Sequence, residues 1–98
     1  MIRGFVGRGT EDIYNGISSP AARRVCPQAL WGRASRKLDL IDSAVELKDL
    51  SVPPGNRLEI LSGNRESQHS IRANEQYRIC FLWTETGADE VEITDYHR

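Results

Sequence analysis

Cysteine is scarce in this chain. Cys26 and Cys80 stand far apart, with no CxxC pair and no Cys/His cluster, which argues against a disulfide framework and against a structural metal. They read as reduced thiols of a cytoplasmic protein. Long apolar runs are also missing. The opening "MIRGFVGRGTED" holds none long enough for a signal peptide, and nothing downstream approaches a membrane span. "GFVGRG" lacks both GxGxxG spacing and a following Lys-Ser/Thr, so a nucleotide-binding loop is not expected. There is no internal repeat and no low-complexity stretch. A net charge of −1 speaks against an indiscriminate binder of polyanions.

What is present suits one modest domain spanning residues 1–98, since 39% hydrophobic and 28% charged residues are ordinary for a soluble globular chain. The charge is unevenly spread. Between Arg57 and Arg78 the basic residues are Arg57, Arg65, Arg72 and Arg78, without a lysine, whereas Glu85 to Asp95 holds Glu85, Asp89, Glu90, Glu92 and Asp95 and no base. Arginine presents a planar fork of donors suited to phosphate, so the first block points to anion recognition. The competing reading is surface pairing with Glu59, Glu66 and Glu75.

The order of elements is a strand, then helices, then strands. "IRGFV" alternates and predicts a short first strand. "GTEDIYNG" predicts a helix with Thr10 as its N-cap and Gly16 as its stop, and "SSPAARR" a short helical piece capped by Ser19 with Pro20 at the first position. From Pro27 to about Ala44, Leu30, Ala34, Leu38 and Ile41 form one apolar stripe, with Arg33, Arg36, Lys37 and Asp39 mostly facing away. "AVELKDL" adds a helical turn, and "VPPGN" ends the helical region. Beyond Gly55 the period becomes two: "RLEIL", "QHSIRA", "YRICFLWT" and "EVEIT" predict four strands with short connections, hence antiparallel neighbours. The class is α+β, with the helices on one face of a mainly antiparallel sheet.

Alternation assigns the faces. Tyr77, Ile79, Phe81 and Trp83 share the core side with Leu58, Ile60, Val91 and Ile93, and Trp31 is read as core as well. The open face carries Arg57, Glu59, Gln68, Ser70, Arg72, Arg78 and Cys80. A two-residue turn at Asn74-Glu75 would set Ile71 opposite Arg78 and mix the faces. A three-residue loop, Asn74 to Gln76, sets Ile71 against Ile79 and Arg72 against Arg78, and is the register expected. Two arginines opposite one another are destabilising unless an acid or an anion lies between them; Glu59 is the candidate acid and phosphate the candidate anion. The last strand runs into "DYHR", placing one of only two histidines, His97, directly after Asp95 and Tyr96.

The segment "PPGNRLEILSGNRESQHSIRANEQYRICFLWTETGADEVEITDYH" closely resembles the HigB toxins, in the branch that includes GraT, within the RelE/ParE superfamily of bacterial toxin–antitoxin toxins. "PPGNRLE", "GNR…QHSIR", "YRICF" and a terminal "DYH" at this spacing carry the resemblance, joined by "MIRGF" and "RKLDLIDSAVELKDL". It implies the RelE-like fold and a ribosome-dependent endoribonuclease that cleaves mRNA with neither metal nor cofactor. It also implies neutralisation by a HigA-type antitoxin with a helix-turn-helix domain, so that contact with DNA is only indirect, and no contact with a membrane.

The resemblance assigns Arg78 to the family's phosphate-stabilising arginine, and Asp95, Tyr96 and His97 to its terminal active-site motif. RNA cleavage by the 2′-hydroxyl needs a base, an acid and donors around the phosphate. Imidazole ordinarily titrates near neutrality, which makes His97 the expected general acid or base, with Tyr96 stacking on a base or donating a hydrogen bond. Some HigB toxins carry a histidine and a lysine where this chain has Glu59 and Ser62. Either Glu59 replaces the base or Arg65 replaces the cation. Arg57 and Arg72 are expected to position RNA or to pair with Glu59, and Arg65 joins them as an RNA contact. His69 is expected to be a packed, hydrogen-bonded histidine, with a catalytic role as the alternative. Arg8, Arg23, Arg24, Arg33, Arg36 and Lys37 either meet ribosomal RNA by charge or simply solvate the helices. The rival function is a non-enzymatic, ParE-like toxin that binds DNA gyrase.

Overall fold

The computed structural model describes residues 1–95. Its elements follow the change of period in the sequence. Three helices come first, α1 (Arg8–Tyr14), α2 (Pro20–Val25) and α3 (Trp31–Ser43). Four strands follow, β1 (Glu59–Ile60), β2 (His69–Arg72), β3 (Arg78–Thr84) and β4 (Gly87–Thr94). Short 3-10 turns at Gln28–Leu30, Leu47–Ser51, Pro54–Asn56 and Gly63–Arg65 fill the connections. The proline-rich "VPPGN" therefore closes into one more tight turn instead of ending all helical structure.

The strands form one sheet in the order β1-β2-β3-β4, antiparallel throughout. The hairpin register is the three-residue one, with Ile71 opposite Ile79 and Arg72 opposite Arg78. The opening segment does not join as a regular strand. Ile2 and Phe5 pair in parallel with Ala88 and Val91 as two separate bridges. Between them β4 carries a bulge, where Glu90 adopts φ 50° and the β3 register shifts, so a continuous ladder cannot form. Gly87, at φ 134°, lets this crossing happen, because a Cβ there would overlap the Met1 carbonyl that Ala88 N–H donates to.

Leu38 and Ile41 of α3, Ile13 of α1, and Ala22 and Cys26 pack onto Ile71, Ile79, Phe81, Val91 and Ile93 of the sheet, all buried. The α3 stripe is the expected one, with Leu30 and Ala34 buried beside Leu38 and Ile41. Trp31 and Trp83 pack against this cluster half-buried. Trp31 donates from Nε1 to the Cys26 carbonyl at 3.1 Å. Ile60 is a correction. Its register, opposite His69 and hence in line with Phe81, is the core side, yet it is 67% exposed. It sits on the outermost strand, beyond the helical cover.

Thr10 is the second correction. α1 begins three residues earlier, after Gly7, with no side-chain cap. Thr10 is instead buried inside the helix, where its hydroxyl accepts the backbone N–H of Ile93 at 3.1 Å. A helix side chain thereby satisfies a strand donor, tying α1 to the end of β4. Ser19 does cap α2, accepting from Ala22 N–H at 3.0 Å and donating to Asp12 at 2.7 Å. Thr10→Val keeps the shape but orphans the Ile93 N–H, with an expected loss of about 1–3 kcal/mol. Urea denaturation checks this, and Thr10→Ser should recover most of the loss.

Candidate functional site

Arg78 opens β3. Ile79 and Phe81 take the core side, so the alternation turns Arg78 to the opposite face, where it lies half-buried. Its guanidinium is held on two sides. Nε donates to Ser70 Oγ at 2.7 Å, and Nη2 donates to the carbonyls of Arg57 at 2.5 Å and Ser70 at 3.3 Å. Ser70 is completely buried, so its oxygens are a fixed mount.

The Arg57 carbonyl is aimed by the turn before it. Asn56 is completely buried and donates from Nδ2 to the carbonyls of Leu50 and Val52, each at 3.2 Å. Its Oδ1 accepts from Lys37 Nζ of α3. With Asn56 fixed, Arg57 takes a left-handed conformation, φ 47° and ψ 59°, and its carbonyl meets Arg78 while its side chain is exposed. A chain of bonds thus runs from α3 through the proline-rich turn to Arg78.

Cross-strand pairing lines up Glu59, Ser70, Cys80 and Glu92 in one row, with Arg72, Arg78 and Thr94 in the next. The face is less open than alternation suggests, because Ser70 and Cys80 are both fully buried. Arg65 lies over this row, donating to Glu92 at 3.0 Å and to Gln68 at 3.1 Å. Its acid partner comes from β4 and is none of the three expected from the local sequence. Burial pushes the Cys80 thiol above its ordinary value, and Arg65 and Arg78 only partly oppose this, with Glu92 adding to it. Burial also pushes Cys26 up, to about 11. Both thiols are unpaired and buried, and neither has the environment of a nucleophile.

The facing arginines diverge. Arg72 donates from Nε to the Asn74 carbonyl at 3.1 Å and lies at the end of the sheet, while Arg78 points to Ser70 and Arg57. Oxygens of the protein thus receive both forks. Asp95 follows β4 directly and accepts from Gln76 of the β2–β3 turn at 2.9 Å. Tyr96 and His97 lie outside the described residues. His69 is packed as expected, stacked on Phe81 with centroids 6.4 Å apart, but its buried Nδ1 has no hydrogen-bond partner among the described residues. Next to this row, a groove of about 580 Å³ runs between α3 and the β2–β3 turn, lined by Arg33, Lys37, Gly55, Arg72, Ala73, Asn74 and Glu75.

Among the expected site residues, the structure gathers Glu59, Arg65, Arg78 and the Arg57 backbone on one face, with Arg72 and Asp95 at its end. Ser70 holds Arg78 directly, and Asn56 and Lys37 fix the turn that carries the Arg57 carbonyl, connections that residue-by-residue reading missed. Ser70 had a legible signal, a small hydroxyl residue on Arg78's face of the neighbouring strand. Asn56 had none, since an asparagine in a proline–glycine turn is usually read as turn chemistry alone. Chemically, the mounted arginine can hold an anionic oxygen in a fixed direction, beside carboxylates able to accept a proton.

Helices on one face of a four-stranded antiparallel sheet form a RelE-like α+β fold. The model of the HigB-like toxin family, the RelE-like toxin of the type II toxin–antitoxin system HigB, matches residues 16–97, and the chain belongs to that family. It is 44% identical over 62 residues to Toxin HigB-1 of Vibrio cholerae serotype O1, covering 63% of this chain and 65% of that protein. It is 40% identical over 57 residues to an uncharacterized protein of Haemophilus influenzae, covering 58% of this chain and 56% of that protein. The chain therefore spans just under two thirds of the longer-matched relative.

Proposed function

We propose that this toxin is a metal-free endoribonuclease that cuts mRNA on the translating ribosome and is neutralised by a HigA-type helix-turn-helix antitoxin. One observation carries the reading: Arg78, mounted by Ser70 and Arg57, pairs across the sheet with Thr94, the residue after which Asp95, Tyr96 and His97 follow. Three residues of chain reach at most about 11 Å, and this short reach from Thr94 supports a terminal motif that acts together with Arg78.

In the proposed reaction the 2′-oxygen of the nucleotide attacks the adjacent phosphorus. The P–O bond to the 5′-oxygen breaks, leaving a 2′,3′-cyclic phosphate and a 5′-hydroxyl. Glu59 takes the 2′-hydroxyl proton, and His97 returns a proton to the leaving 5′-oxygen. Arg78 stabilises the charge that gathers on the phosphoryl oxygens. Tyr96 orients the base, Asp95 orients the tail through Gln76, and Arg57, Arg65 and Arg72 position the strand. A ribosomal target places this action in the cytoplasm, where the two buried thiols stay reduced.

A translating extract supplemented with the purified chain tests this. Messages should acquire new 5′ ends only when ribosomes are present, and His97→Ala should lower cleavage by about 10²-fold or more. Intact message together with blocked DNA gyrase would replace the nuclease with a ParE-like gyrase binder. Equal cutting of naked RNA would remove the ribosome from the reading.

A further inference from the structure

The groove beside the site is unusual in its charge. Arg33, Lys37 and Arg72 line it against one acid, Glu75. A second depression of about 440 Å³ continues along α3, lined by Arg33, Arg36, Lys37, Leu40 and Pro53. Arg33, Arg36 and Lys37 fall at i, i+3 and i+4 on one helix face, where like charges repel. Among the described residues none of Arg33, Arg36, Lys37 and Arg72 has a salt bridge. Lys37 and Arg72 are each fixed by one neutral oxygen, those of Asn56 and Asn74. Charges crowded without acid partners, and partly immobilised, are arranged for an anion from outside the chain.

The position of the groove says which anion. Arg72 lines one end and is the cross-strand partner of Arg78. The β2–β3 turn forms the wall, and Gln76 of that turn touches Asp95, where the terminal motif begins. The groove therefore lies at the same end of the sheet as the proposed cleavage site, one cross-strand pair from Arg78. A strand whose scissile linkage sits at Arg78 carries further phosphates on both sides, at a regular spacing that a line of cations can meet. Planar arginine forks suit phosphate oxygens better than the scattered carboxylates of a protein surface.

We propose that the groove between α3 and the β2–β3 turn is a second RNA subsite, which grips backbone phosphates flanking the scissile one through Arg33, Lys37 and Arg72. This rests on the nuclease reading and adds to it where the rest of the strand lies.

The test uses the full chain and a fluorescein-labelled 12-nucleotide 2′-O-methyl RNA, which cannot be cut, so binding is read apart from catalysis. Fluorescence anisotropy from 25 to 200 mM salt should show Arg33→Glu weakening binding by about tenfold or more. The log–log salt slope should fall by about 0.7 for each phosphate that the variant no longer neutralises. Glu75→Gln should tighten binding about two- to fivefold by removing the one opposing charge. Lys48→Glu makes the same charge change on an exposed residue outside both depressions, and should shift affinity far less.

Equal shifts in Arg33→Glu and Lys48→Glu would reduce the effect to net charge and overturn the subsite. So would unchanged binding in both Arg33→Glu and Glu75→Gln. Normal RNA binding by Arg33→Glu, joined to failed neutralisation by the antitoxin, would reassign the groove to a protein partner. A wild-type chain that binds this RNA in the groove but cuts no message would keep the subsite and sink the nuclease.

Discussion

Arg78→Ala is expected to lower ribosome-dependent message cleavage by about 10²–10³-fold, the usual cost of removing one donor aimed at a developing charge. The size follows from the mount. Nε and Nη2 are committed to Ser70 Oγ and to two carbonyls, so the guanidinium plane is fixed before RNA arrives and no reorganisation is needed in the transition state. Arg78→Lys keeps the charge but cannot reproduce a planar fork that bonds Ser70 and Arg57 together, and it should recover little of the missing rate. Full activity in Arg78→Lys would mean that charge alone matters. Wild-type activity in Arg78→Ala would remove the residue from the scissile phosphate altogether.

Ser70 separates positioning from chemistry. Ser70→Ala takes away the Nε acceptor while leaving Arg78 in place. Cleavage should fall by about tenfold in kcat with little change in KM, because a small misplacement costs rate before it costs binding. Arg78 also joins β2, β3 and the Arg57 turn, so its removal should destabilise the fold by about 1.5–3 kcal/mol. Thermal melts of each variant therefore accompany the kinetics, with activity measured well below the lowest Tm.

Much of this site was legible in the residues. The period-two pattern of "YRICFLWT" placed Arg78 opposite the core, and the face-matching rule chose the hairpin register that the structure has. The helix stripe from Leu30 to Ile41 was legible for the same reason: apolar spacing is written directly in the chain. The failures lie where a long-range partner decides. Thr10 has the composition of a cap, but the N–H it satisfies belongs to Ile93, far along the chain. Arg65 has three acids nearby in sequence and pairs with Glu92 instead, because the turn before β2 folds over β4's row. Ile60 alternates correctly and is still exposed, since alternation reports a face and says nothing of how far the helices extend over it. His69 shows the converse: its packing was legible and the missing Nδ1 partner was not.

The largest stability effect is expected at Asn56. Its side chain is fully buried, donating to the Leu50 and Val52 carbonyls and accepting from Lys37 Nζ. Asn56→Ala removes the partner of two carbonyls and of the half-buried Lys37 ammonium, and a buried carbonyl left unsatisfied costs more than the net value of its bond. Part of the cost is returned, because Val52 is 68% exposed and water can reach its carbonyl. The expected destabilisation is about 2–4 kcal/mol, which for a domain of this size lowers Tm by roughly 10–20 °C. Asn56→Asp should not rescue it: a carboxylate can keep Lys37 but cannot donate to either carbonyl. Lys37→Met, measured alone and with Asn56→Ala, closes a double-mutant cycle whose coupling should exceed about 0.5 kcal/mol. Cleavage by folded Asn56→Ala should fall as well, because the Arg57 carbonyl that orients Arg78 hangs from this turn. A variant within about 0.5 kcal/mol of wild type, the range of an ordinary surface change, would mean that the turn holds its shape without the asparagine. The link from α3 to Arg78 would then have to be abandoned.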